Sequence, residues 1–202
     1  MNCSKCRKEL RPYKTVVLNS DGKSEEVCME CFNGEVEDEL GIKTGELMVK
    51  QVTLTDKEGK SYLFDITKMI VPTGIALEAR ELKAGVPEEE EDRYEFHVLG
   101  DIDCDIVKLF KKLYKKIEDG ISVKYLDKNG IINDTVKGRL VWNKDSEERI
   151  HNVVIDGQEL TWDELGKLLS PYEGFQFKLD IFDITDWNWS IRWIRGIWNV
   201  KE

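Results

Sequence analysis

The chain has 202 residues, 41% hydrophobic and 35% charged, with a formal net charge of -10. That balance suits a globular protein rather than a disordered one, with room for one medium domain and a small appendage, or two modest domains. No apolar run exceeds three residues, which excludes a membrane-spanning helix, and the acidic excess argues against a surface that tracks nucleic acid throughout.

The opening stretch, MNCSKCRKEL, lacks the apolar segment of an export signal, so a reducing, cytoplasmic setting is expected. Cys3 and Cys6 form one C-x-x-C pair and Cys28 and Cys31 a second, with 21 residues between the pairs. Two residues between thiolates let a tight knuckle, or one helical turn, aim both sulfurs at one tetrahedral ion, so the four read as a tetrathiolate zinc site. Two disulfides, a redox C-x-x-C or an iron–sulfur cluster are the competing uses of the same residues. Four thiolates leave no open position for water, which makes the expected zinc structural rather than catalytic.

Between the pairs, Tyr13 to Leu18 reads as a strand, Asn19 to Lys23 as a turn, and Val27 to Leu40 as a helix closed by Gly41. Cys28 and Cys31 share a face of that helix, where the amino-terminal dipole favours negative charge. Knuckle, hairpin and helix, with two ligands in the first helical turn, resemble the treble-clef group of zinc folds over about the first 41 residues. Residues 1–24 carry a balance of +4, through Lys5, Arg7, Lys8, Arg11, Lys14 and Lys23, whereas residues 25–47 carry -7. A basic knuckle backed by an acidic helix predicts weak nucleic-acid binding at most.

From Leu47 onward the pattern alternates with period two. Expected strands are Met48–Leu54, Ser61–Val71, Ile75–Leu82 and Tyr94–Leu99, with a solvated acidic loop over Glu88–Asp92. Asp101 to Ile117 is a helix by its stripe of Ile102, Ile106, Leu109, Phe110, Leu113 and Ile117, capped by Asp101 or Asp103 and stopped by Gly120. Its lysine-rich remainder reads as a solvated face. Ile121–Leu126 and Thr135–Trp142 are expected to form a hairpin, followed by a strand over Arg149–Ile155. Thr161-Trp162-Asp163-Glu164 is a capping box opening a short helix that ends before Pro171, with Leu160 and Leu165 as its staple. Phe175 to Ile181 then alternates as a final strand, with Phe175, Phe177, Leu179 and Ile181 inward.

The stretch from Val153 to Ile181 resembles a segment of uncharacterised bacterial proteins that also carry a cysteine-rich amino terminus. The resemblance implies a family with a treble-clef-like zinc finger and an α+β domain of unknown function, and transfers no catalytic residue.

The carboxyl-terminal stretch concentrates Trp187, Trp189, Trp193 and Trp198 with Ile191, Ile194 and Ile197. Such a tail docks on its own sheet, binds a partner or a second copy, or lies at a lipid interface, and the acidic body counts against anionic membranes. His97 and His151 stand alone in strand-like segments, and neither belongs to a metal spacing. Cys104, among Asp101, Asp103 and Asp105, reads as a buried, unreactive thiol, and those acids lack the spacing of a calcium loop. No phosphate-binding, dinucleotide or nucleophile-elbow motif occurs.

The expected architecture is α+β: a zinc module over residues 1–45, then a mostly antiparallel sheet with helices packed on one face over residues 46–202. The expected function is that of an interaction or regulatory module holding a structural zinc on Cys3, Cys6, Cys28 and Cys31. Its partner would be a protein, or a second copy, met through the Trp-rich tail, with no membrane. The alternatives are an enzyme with a carboxylate-based cleft in the α+β domain, using His97 or His151, and a weak nucleic-acid binder using the knuckle.

Overall fold

The computed structural model describes residues 1–20, 23–143 and 150–186. The Asp21-Gly22 turn, Arg149 and the Trp-rich tail lie outside these described residues. The fold is α+β, with antiparallel sheets and a cluster of cysteines near the amino terminus.

Its centre is a four-stranded meander of β3 (Gln51–Thr55), β4 (Ser61–Val71), β5 (Gly74–Glu81) and β6 (Glu95–Gly100), in that order. Because side chains alternate across a strand, Phe64, Ile66, Ile75, Leu77, Ala79 and Val98 share one buried face. Helix α2 (Ile106–Ile121) covers that face with Ile106, Leu109, Leu113, Ile117 and Ile121. Each such aliphatic side chain, taken fully out of water, contributes roughly 1.5–3 kcal/mol.

Two details of α2 differ from expectation. Its cap is Asp105, whose carboxylate accepts from the amides of Val107 and Lys108 at 2.9 and 3.2 Å. Asp101 is instead used in the turn leaving β6, where its carbonyl accepts from the Cys104 amide. Gly120 does not end the helix. A β-carbon there would stand 2.2 Å from the Phe96 ring, so the missing side chain lets α2 and β6 approach closely.

Helix α2 also takes Ile121, which continues its apolar stripe, so the expected strand from Ile121 does not form. What remains is a minimal hairpin of β7 (Leu126–Asp127) and β8 (Gly130–Ile131), and the positive φ angles of Asn133 and Asp134 break the chain beyond it. β9 (Arg139–Trp142) pairs instead with β10 (His151–Ile155), and β10 with β11 (Gln158–Leu160). Helix α3 (Trp162–Leu169) opens on the expected capping box, Thr161 with Glu164, and its Leu165 joins Val153 and Ile155 in a second, small core.

Residues Phe175 to Ile181 are extended in neither sheet: no strand among the described residues pairs with them. Phe175 and Phe177 are 73% and 92% exposed, and Leu179 and Ile181 are open as well. Alternation alone does not make a strand, because its backbone groups need an edge to bond.

The acidic loop is also less solvated than its charge suggests. Buried Arg80 donates to the carbonyls of Glu88 and Glu90, and buried Arg93 donates to those of Glu81, Val86, Pro87 and Glu90. Lys83 pairs with Asp92, and Arg139 with Glu91. Guanidinium groups from the neighbouring strands thus tie the loop down where sequence alone shows only repulsion.

Candidate metal centre

One knuckle, one hairpin and one helix bring four thiols together. In the knuckle the Cys3 amide donates to the Lys8 carbonyl and the Arg7 amide donates to the Cys3 carbonyl, at 2.9 and 3.1 Å. Arg7 adopts a φ of 63° to close this turn, a conformation that costs an L-residue about 1–2 kcal/mol. The Ser4 amide donates to Glu26, which ties the knuckle to the hairpin of β1 (Thr15–Ser20) and β2 (Lys23–Cys28). Helix α1 (Met29–Leu40) follows directly, with Cys28 at its cap, Cys31 in its first turn, and Gly41 at φ 63° closing it.

The Sγ atoms of Cys3, Cys6, Cys28 and Cys31 all lie within 4.8 Å of one another, and those of Cys6 and Cys28 are 3.7 Å apart. Four sulfurs bonded at about 2.3 Å to one tetrahedral ion stand about 3.8 Å apart, so the donor set and its spacing fit a metal. The thiols are free rather than joined in pairs. Cys3 is fully buried and Cys6 exposed, with the helical pair between.

Their protonation is divided. Burial pushes the Cys3 thiol up, but the amides of Cys6, Cys28 and Lys5 outweigh it and bring it down to about 6. Burial and the crowding of the other three thiols push Cys31 up to about 12, and burial also raises Cys28. Four sulfurs this close need a cation among them before all can ionise.

The basic residues around the knuckle are engaged by the protein's own acids. Lys5 pairs with Glu35, Lys8 with Glu30, and Lys14 and Arg11 with Asp65. Of the five basic residues Lys5, Arg7, Lys8, Arg11 and Lys14, only Arg7 forms no ion pair among the described residues.

Two side chains that sequence reasoning missed join this module to the central sheet. β3 stops at Gln51, and with the Ile66 amide donating to the Lys50 carbonyl at 2.8 Å the edge of β4 has no strand beside it beyond Ile66 among the described residues. Buried Asn33 of α1 fills that gap: its amide donates to the Lys68 carbonyl at 2.8 Å and its carbonyl accepts from the Ile70 amide at 2.9 Å. Asp65, 3% exposed, faces away from α2 and accepts from the Tyr13 hydroxyl at 2.6 Å and from Lys14 at 2.7 Å. A lone Asn in a helix and a lone Asp in a strand gave no signal of this pairing.

A second cluster of donor atoms lies on the same sheet face as Asp65. Glu78 of β5 pairs across the strands with His97 of β6, and Glu95 stands two residues before His97. Burial beside Glu95 pushes Glu78 up to about 7. Burial raises Glu95 too, but His97, Arg139 and Arg80 outweigh it and hold that carboxyl below the usual carboxylate range. His151 is exposed, with its ring against Trp142. Cys104 is half-buried, and burial with Asp101, Asp103 and Asp105 raises its thiol, as expected for an inert cysteine.

Residues 2–43, 46–122 and 119–186 match three families, each described as a domain of unknown function: DUF7685, DUF7686 and DUF7713 respectively. Families of unknown function thus cover nearly the whole chain, and they bring no activity with them. No curated protein and no solved structure matches it. No helix among the described residues is long and apolar enough to cross a membrane.

Proposed function

We propose that the protein is an interaction or regulatory module of the cytoplasm whose amino-terminal segment is a treble-clef zinc finger, with zinc held by Cys3, Cys6, Cys28 and Cys31 in a structural role. The observation that carries this reading is the four-sulfur cluster, whose spacing suits a tetrahedral ion and whose complete thiolate shell leaves no position for a reacting water. Zinc is favoured over softer or redox-active ions because it accepts four thiolates with no geometric preference of its own. Four thiols gathered for one ion rather than joined in pairs suit a reducing compartment. The resemblance over Val153–Ile181 supports a bacterial family.

The partner is a protein, or a second copy of the chain. The exposed apolar run from Phe175 to Ile181, leading into the Trp-rich sequence, supports this. Nucleic acid is the weaker partner, because Glu30, Glu35 and Asp65 already neutralise most of the knuckle's positive charge.

Elemental analysis of the purified full chain should find zinc, and Cys28→Ser should lose the ion bound at the thiols. Affinity capture from the native host, with and without residues 187–202, tests the partner. A defined companion, or a dimer by light scattering, should disappear on truncation. Zinc absent from the native protein, or the same companion retained without the tail, would refute the respective half of this reading.

A further inference from the structure

The central sheet carries a second, chemically different donor set. Donor atoms of Glu78, Glu95 and His97 all lie within 4.8 Å of one another, and His97 Nε2 is 3.8 Å from Glu95 Oε2. At that separation the two do not hydrogen bond. His97 Nε2 is buried and has no hydrogen-bond partner within the chain, an unfavourable arrangement unless something satisfies it.

The neighbouring arginines repeat the anomaly. Arg80 Nη1 donates to Glu95 Oε1 at 2.9 Å, and Arg139 Nη1 stands 2.7 Å from Glu95 Oε2. Yet Arg80 Nε and Arg139 Nη2 are buried with no acceptor. Among the described residues, the three buried side-chain polar atoms without a partner are these two and His97 Nε2. All three belong to groups gathered around one carboxylate. Native interiors seldom leave such groups unpaired, and of the three only the His97 nitrogen can offer a lone pair to a cation.

We infer that Glu78, Glu95 and His97 bind a divalent first-row transition ion, such as zinc, cobalt or manganese, on the face of the sheet away from α2. One imidazole and two carboxylates are ligands of that class; magnesium and calcium take oxygen alone. The ions of this class accept nitrogen and oxygen at about 2.0–2.2 Å.

The arginines act as positioning residues. Each holds one oxygen of Glu95, and each carboxylate oxygen keeps a further lone pair for the ion. Their charge is shared between Glu95 and Glu91, which Arg139 bonds at 2.9 Å. With three protein ligands the ion keeps open positions for water. This separates it from the four-sulfur centre, which is closed, and the inference does not depend on that centre's role.

Cobalt(II) titration of the full chain distinguishes the two sites, because thiolate ligation produces intense near-ultraviolet charge-transfer bands and oxygen–nitrogen ligation does not. We expect two cobalt ions per chain in the wild type. Glu78→Gln and His97→Ala should each retain the thiolate bands and lose the second ion. A wild type whose only cobalt shows thiolate bands, or the same cobalt stoichiometry in both variants as in the wild type, overturns the inference. Should His97→Ala fail to fold, manganese(II) added to the wild-type protein should broaden the His97 ring signals in the NMR spectrum selectively. Unchanged His97 signals at saturating manganese also overturn it.

Discussion

The amino-terminal module and the central sheet solve the problem of staying folded by different means. Around α2 the sheet gathers fifteen of the described residues into one buried apolar core. Among the described residues of 1–41, the buried apolar side chains are Cys3, Val27 and Met29, with the polar Asn33 beside them. Apolar burial at roughly 25 cal/mol per Å² sustains the first and is small in the second, which is therefore expected to depend on an ion held at its sulfur cluster. The two regions should thus fail under different insults.

The sharpest separation is metal removal. Chelation at neutral pH should abolish amide protection across α1 and the β1–β2 hairpin while β4 and β5 stay protected, as read by hydrogen exchange. Comparable short metal sites lose an apparent ~10–16 kcal/mol of coupled folding energy. Retained protection in the module after chelation would show that packing alone holds it. The converse insult is Leu113→Ala, at a fully buried position of α2. It should cost about 2–5 kcal/mol in urea denaturation while leaving metal content at the thiols unchanged in the folded protein.

Between these lies the joint. Asn33→Ala should cost about 1–3 kcal/mol, because it strands the Lys68 carbonyl and the Ile70 amide on the β4 edge. If the two regions were independent, the loss would be confined to the module, and protection at Ile70 would not change. The smallest effect concerns pH. Burial pushes the Lys116 ammonium from 10.5 down to about 8, although Asp186 and Asp183 oppose the shift. At this group the unfolded chain therefore holds more protons between these values, so the Lys116 contribution to stability should rise with pH from about 8 toward 10.5, while the raised thiols of Cys28, Cys31 and Cys104 act in the opposite sense. Lys116→Met should flatten that rise in part, since burial lowers Lys137 to about 8 as well. A rise equally steep in the variant would count against the assignment.

The periodicities that were legible in the sequence are those whose partners lie nearby in the chain. β4 begins and ends where its alternation does, the box at Thr161 caps α3 as its spacing requires, and the four cysteines meet. What sequence could not supply is pairing between distant segments. Ile121 fits a helix stripe and a strand equally well, and only the packing of α2 on the sheet decides between them. Phe175–Ile181 has the right alternation but no edge to join. Glu78 and His97 are unremarkable singly, and become a cluster only through the register of β5 on β6. Likewise Arg80 and Arg93 organise an acidic loop whose sequence shows nothing but like charges.

The carboxamide of Asn33 also bears on solubility. By completing the hydrogen bonds of a bare strand margin, it denies that margin to any other chain seeking to extend the sheet. Loss of the metal would then do more than unravel forty residues: it would uncap a sticky border on an otherwise intact body, and demetallated protein should precipitate by strand-to-strand stacking rather than simply unfold.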